Sequence, residues 1–386
     1  MKKIGIVTTN RSEFGLLYWL IHQLMIDKSF EVQLIVAGSH LCENQGYTLT
    51  EIEQSGFPVS AMLPYLTDEN AADPADQLSK FSKLLSVSLP SLSPDLLIVL
   101  GDRYELLSVA STALMLDIPI AHLSGGELTE GALDDAVRHA VTKLSYWHFV
   151  ANESFRTRVI QMGESPDRVF NVGELGLEHS RRTEIIDYDV LTQKMWAENS
   201  KPFLLVTYHP ETWSKKDVLA QQKAVLTALE SVLDTHNLLI TYPNCDKDYQ
   251  ALIDHLKSFQ KQHIGRVFLS ASLGFQRYIS ALTYADLVVG NSSSGLYEAP
   301  AYQCLTINVG DRQKGRMQGA TVFDVPCVTT DIIAKIAEVL TLPKDNINWH
   351  NPYGDGFVVD KIMSILKNDS IFPDSCRKTF YNLPTL

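Results

Sequence analysis

The sequence is short of several things, and each shortage closes off a class of function. Cysteine is scarce: five residues (Cys42, Cys245, Cys304, Cys327 and Cys376) lie scattered through 386 positions. None has CxxC spacing, and no Cys/His cluster has zinc-ligand spacing, so reduced thiols are expected and a metal site is not. Positive charge is short as well. Lys and Arg total 33 against 45 Asp and Glu, a formal net charge of −12. That balance argues against a nucleic-acid partner, which selects a basic footprint. An anionic substrate then needs a local cationic pocket. No apolar run reaches the ~18–20 residues of a membrane span. The opening MKKIGIVTTN holds too short an apolar stretch for a signal peptide and reads directly as a first strand. The expectation is a cytoplasmic protein with no membrane partner. Short-period repeats and low-complexity segments are also absent.

What is present is alternation. The chain is 45% hydrophobic and 20% charged, a globular profile. Its length predicts two domains of roughly 170–200 residues each. The runs KIGIVTT, EVQLIVAG, DLLIVLG, IPIAHL, WHFVAN and RVFNVG read as strands, with helical patterns such as FGLLYWLIHQLM and ELLSVASTALML between them. The pattern pauses in a polar, charge-mixed stretch from Gly173 to Pro202, then restarts with FLLVTYH, NLLITYP, RVFLS, DLVVGN and LTINVG. This is βαβ alternation, so the fold class is α/β, with two Rossmann-like doubly wound domains facing a cleft. The predicted layout is a first domain over 1–175, a connection over 176–202, a second domain over 203–355 and a C-terminal helix over 356–386 that packs back on the first domain.

Chemistry concentrates between Leu96 and His139. Two strand-like runs there end in carboxylates: Asp102 and Glu105 after the first, Glu127 after the second, with Asp134 and Asp135 following. Residues just past the carboxyl ends of parallel strands line ligand crevices. Acids gathered there with Arg103, Arg138 and His139 point to proton transfer, since crowded carboxylates have their pKa values pushed apart into one acid and one base. The competing reading is that Asp102 and Glu127 cap turns. His122 and His139 either orient a carboxylate or are satisfied core histidines.

Other segments offer a grip on an anion. Arg11 sits in TTNRSEFG, in a loop leading to a helix expected to start near Ser12, although this is not a GxGxxG turn. DLVVGNSSSGLYEAP places Ser292, Ser293 and Ser294 between two glycines at an expected helix start, with Glu298 about a turn further on. It lacks the Lys-Ser/Thr pair of a Walker A loop, yet its amides and hydroxyls suit a phosphate or diphosphate. GDRQKGR adds Arg312, Lys314 and Arg316, a candidate counter-charge or a solvated basic loop. His209 ends the second domain's first strand, where it can donate to phosphate or act as acid or base. Asn244 and Asp246 follow the next strand, where turn-forming Asx residues are the simpler explanation.

Together the motifs TTNRSEFG, GDRYE, HLSGGE, DDAVRH, HPET, YPNCD, GNSSSGLYE and GDRQKGR resemble, in order and across nearly the whole chain, the hydrolysing UDP-N-acetylglucosamine 2-epimerase family. The resemblance implies a GT-B-like fold and a UDP-sugar in the cleft. It implies elimination of UDP to 2-acetamidoglucal and hydration to N-acetylmannosamine for sialic acid synthesis, with no metal or redox cofactor. A related branch acts on UDP-2,4-diacetamido-2,4,6-trideoxyglucose, toward legionaminic acid. By the same resemblance Asp102, Glu127 and Asp134 are the catalytic carboxylates and His209 assists the phosphate leaving group. Arg11, Gly15 and Arg103 lie at or beside the diphosphate. Asn244, Ser292, Ser293, Ser294, Glu298 and Arg312 bind UDP, with Glu298 on the ribose hydroxyls. A homodimer is expected. The rival readings are a GT-B glycosyltransferase and a non-catalytic UDP-sugar sensor.

Overall fold

A computed structural model describes the chain except for residues 44–46, 68–72, 130–132, 194, 197–200, 210–216, 244–248 and 384–386. It divides into two units: one made of Met1–Leu128, Leu133–Glu178 and Tyr353–Leu386, the other built on His179–Pro352. Each unit holds one parallel sheet, as the alternation predicts.

In the first unit the strands are β1 (Lys2–Thr8), β2 (Phe30–Ala37), β3 (Val59–Leu63), β4 (Leu96–Leu100), β5 (Ile120–Leu123), β6 (Trp147–Val150) and β7 (Val169–Asn171). Their order in the sheet is β3-β2-β1-β4-β5-β6-β7. In the second unit they are β8 (Phe203–Thr207), β9 (Asn237–Thr241), β10 (Val267–Ser270), β11 (Leu287–Gly290), β12 (Leu305–Val309) and β13 (Val322–Val325), ordered β10-β9-β8-β11-β12-β13. The strand order therefore reverses between β1 and β4 in one sheet and between β8 and β11 in the other. Ligand crevices of doubly wound sheets open at that reversal.

Burial explains which strands the sequence displays. Every residue of β4, β8 and β12 is buried, because helices cover both faces of a parallel sheet. Their side chains alternate between two cores. Leu96, Ile98 and Leu100 pack with Val358 and Ile362, while Leu97 and Val99 pack with Leu85 and Val109. Two strands went unread, β3 and β13. Both are sheet edges with partly exposed, mixed-polarity sequences, VSAML and VFDV.

The C-terminal segment belongs to the first unit. Helix Val358–Leu366 buries Val358, Val359, Ile362, Met363 and Leu366 in the same core as helix Arg11–Ile26. Beyond it the chain is tied down. The Trp147 indole donates to the Ile371 carbonyl at 2.7 Å, Cys376 N–H to Asp117 at 2.7 Å, and the Lys378 ammonium to Glu164 at 2.8 Å. Within 176–202, the units divide at Glu178, and Leu191 and Trp196 pack into the core of the second unit. Among the described residues, no helix is long and apolar enough to cross a membrane.

Three histidines of the first unit, His40, His122 and His148, are fully buried. Burial pushes each down to about 4. The unfolded chain takes up protons at these sites from about pH 6.5 downward, while the folded chain resists until about pH 4. Stability therefore falls as pH drops through that window, by up to about 1.4 kcal/mol per pH unit for each histidine. The Glu13 and Glu298 carboxyls, lifted by burial to about 7, work in the opposite sense over the same window. Urea titrations at pH 7, 6 and 5 should show a net fall of the midpoint; a midpoint that rises from pH 7 to pH 5 would contradict the burial of neutral imidazoles.

Candidate active site

At the strand reversal of the first sheet, β1 runs into Thr9, Asn10 and Arg11, and β4 into Gly101, Asp102 and Arg103. The helix begins at Arg11 with Asn10 as its cap, accepting from the Glu13 N–H at 3.1 Å. The sequence pattern alone predicts a start near Ser12. Asn10 wins because its side chain sits three residues before the first orphan amide it can reach. Glu13 turns back to accept from Thr9 N–H at 2.7 Å and Thr9 Oγ1 at 2.9 Å. Burial lifts its carboxyl to about 7. Gly15 follows one turn into the helix.

Arg103 binds Glu105 through Nε at 3.2 Å and a terminal nitrogen at 3.0 Å. Glu105 is buried and Arg103 is half-exposed at its side chain. Expected at a phosphate, Arg103 is thus held at the carboxyl end of the central strand by a carboxylate two residues away.

The acids are organised around Arg138, which is 1% exposed. Its guanidinium pairs with Asp102, donates to the Glu127 carbonyl at 3.1 Å and lies 4.0 Å from Asp135. Asp134 and Asp135 open helix Asp134–Leu144, and His139 Nε2 is 3.6 Å from Asp135. The structure thus brings the Asp102 and Asp135 carboxylates and the Glu127 backbone together at Arg138, with Asp134 next to Asp135 at the helix start. A cation, where the sequence suggested crowded like charges, sits among them. Arg138 was visible only as a basic residue within the stretch. Its (i, i+3) spacing from Asp135 on a helix is the signal that could have singled it out. His122 proves to be a satisfied core histidine. Held neutral, it donates from Nε2 to the Gly101 carbonyl at 2.7 Å and accepts at Nδ1 from Thr142 Oγ1 at 3.1 Å.

At the reversal of the second sheet, β8 leads to His209 and β11 to Asn291. Thr207 pairs with Gly290, so the two loops leave side by side. Gly290 has φ +145°, and a Cβ there would lie 1.9 Å from the Thr207 carbonyl oxygen. Only glycine permits this approach. His209 is buried, and burial together with the nearby Arg312 guanidinium holds its imidazole well below the ordinary range. Arg312 follows β12 and donates to the Asn291 carbonyl at 3.1 Å.

The serine loop differs from expectation in one respect. The helix after it is a single turn, Ser294–Tyr297, and Glu298 ends it rather than lying inside it. Pro300 follows within two residues and disfavours continuation. Ser292 Oγ and Ser294 Oγ lie 3.2 Å apart, and Tyr278 OH bonds Ser294. Burial lifts the Glu298 carboxyl to about 7. Ser293 caps the turn by position without a side-chain bond to it. Asn244 lies outside the described residues, as does the chain after His209 in the HPET motif.

Residues 22–367 match the family model for UDP-N-acetylglucosamine 2-epimerase. The chain belongs to this family. It is 36% identical over 324 residues, 84% of each chain, to a hydrolysing GDP/UDP-N,N'-diacetylbacillosamine 2-epimerase of Campylobacter jejuni. It is 33% identical to the polysialic acid biosynthesis protein P7 of Escherichia coli, covering 100% of this chain and 98% of that one. In fold it resembles the Neisseria meningitidis UDP-GlcNAc 2-epimerase solved with UDP-GlcNAc bound, with a TM-score of 0.77, 18% identity, and 95% and 100% of the two chains covered. The expected class, two Rossmann-like doubly wound domains of GT-B type, is the one this epimerase-family chain adopts.

Proposed function

We propose that the protein is a hydrolysing 2-epimerase: it eliminates UDP from a UDP-linked 2-acetamido sugar and hydrates the resulting glycal to the free 2-epimer. The observation that carries this reading is the buried Arg138 at the first sheet's strand reversal, which gathers the Asp102 and Asp135 carboxylates and the Glu127 backbone carbonyl. A sensor that merely held UDP would have no use for it. The C2 hydrogen of such a sugar is not α to a carbonyl and is hardly acidic. C1–O cleavage must therefore run ahead, with cationic groups and donors stabilising the departing diphosphate. Arg312, His209 and the Ser292–Ser294 loop are assigned that task, with Arg11 and Arg103 from the first unit. Asp102 and Asp134 are assigned the C2 proton and the entering water, and Glu127 the orientation of the sugar. Asn244 and Gly15 complete the UDP-binding set, with Glu298 on the ribose. No metal or redox cofactor enters the scheme.

UDP-N-acetylglucosamine is the first candidate substrate, giving N-acetylmannosamine, and the polysialic acid relative supports it. The second candidate is UDP-2,4-diacetamido-2,4,6-trideoxyglucose. The hydrolysing diacetylbacillosamine epimerase at 36% identity favours it. Both sugars should be offered separately and the products identified. Free UDP with a free 2-epimer supports hydrolysis, and the faster substrate fixes the group at C4. A UDP-linked 2-epimer from either sugar would replace hydrolysis with simple epimerisation. Intact substrate in both would leave the transferase or sensor reading.

A further inference from the structure

We propose that Asn291 is a positioning residue that locks His209 and Arg312 into one frame for the diphosphate. This rests on the UDP-binding reading above. Asn291 is fully buried. Its side-chain amide brackets the backbone of His209. Oδ1 accepts from the His209 N–H at 2.7 Å, and Nδ2 donates to the His209 carbonyl at 2.9 Å. Its own N–H reaches back to the Thr207 carbonyl at 3.0 Å. Its carbonyl accepts twice from the loop after β12, from Arg312 at 3.1 Å and from Gln313 Nε2 at 2.7 Å. Gln313 is itself 1% exposed.

One residue therefore ties three loops, those following β8, β11 and β12. A primary amide is the side chain suited to the bracket, because it donates and accepts in the same plane as a peptide group. The backbone of His209 receives from it the pair of bonds that a neighbouring strand would otherwise supply. All three tied loops carry residues assigned to the leaving diphosphate, so their spacing is set at Asn291. Misplacing such groups by about 1 Å costs on the order of 100-fold.

Asn291→Ala and Asn291→Asp test this, with UDP as the calorimetric ligand and kcat and KM measured on whichever UDP-sugar is turned over. Asn291→Ala should weaken UDP binding and raise KM by about 10- to 100-fold. In the His209→Ala background the same change should cost clearly less than it does alone, because part of its effect runs through His209. Asn291→Asp is isosteric and serves if the alanine variant does not fold. It keeps the acceptor for His209 N–H, loses the donor, and sets a carboxylate oxygen against the His209 carbonyl, so UDP binding should fall at least as far. A folded variant that binds UDP like the wild type overturns the proposal, as does a loss of thermal stability with unchanged UDP affinity. Fully multiplicative effects of the two alanine changes overturn it as well. Wild-type protein that binds no UDP overturns the functional reading and this proposal with it. Wild-type binding with unaffected variants overturns this proposal alone.

Discussion

Asp102→Asn and Asp134→Asn should each leave UDP-sugar binding within a few-fold of wild type while cutting kcat by about 10²–10⁴-fold. Asparagine keeps the shape and one acceptor oxygen of aspartate but cannot take a proton near neutral pH. At Asp102 the change also weakens the pair with Arg138, which keeps Asp135 and the Glu127 carbonyl as partners. At Asp134 it removes a negative charge from the first turn of helix Asp134–Leu144, worth about 0.3–1 kcal/mol against the helix dipole. Calorimetric binding of the UDP-sugar and a coupled assay of UDP release separate the two quantities. Undiminished kcat in either variant would remove that residue from the proton-transfer step.

Arg138→Met should be the most damaging single change in the first unit. It should lower kcat/KM by two orders of magnitude or more and cost about 3 kcal/mol of stability. The buried guanidinium is what allows Asp102, Asp135 and the Glu127 carbonyl to converge. Without it, carboxylates are left facing one another with nothing between them. The stability figure lies at the low end for a broken buried pair because Asp102 retains 22% of its side-chain exposure. Arg138→Met combined with Asp102→Asn should recover part of the lost stability, since the second change removes the orphaned charge, and should recover none of the activity. Chemical denaturation of the single and double variants measures the first, turnover the second. A double variant no more stable than Arg138→Met alone would mean the arginine acts through packing rather than charge.

The central strands could be read because a parallel sheet buried on both faces demands uninterrupted apolar runs, as LLIVL and FLLVT show. Edge strands escape that demand, so VSAML and VFDV carried no such mark. Much of the candidate site was legible for a related reason. Strand carboxyl ends are where polar residues must abruptly replace apolar ones, and Asp102, Glu127 and His209 each stand just past such a change. What sequence could not supply was convergence. The partners of Arg138 come from the loop after β4, the loop after β5 and the start of a helix, and no local spacing links all three. Asn291 carries no mark of its own in the sequence, because the three serines after it offer the stronger phosphate-binding pattern. Glu298 was read as lying within a helix that Pro300 cuts to one turn.

The route of the chain through the first unit has a consequence for its biosynthesis. All seven strands of that sheet have been made once Asn171 is added, yet the helix that shares a core with Arg11–Ile26 begins only at Val358. At about 5–20 residues per second, the ribosome leaves that surface uncovered for roughly 10–40 s. The intervening residues form almost the whole second unit, which can fold while the first still waits. A nascent chain stalled anywhere between those points carries an apolar face and seven strands with no closing helix. That species, rather than the finished protein, is the one a chaperone would meet.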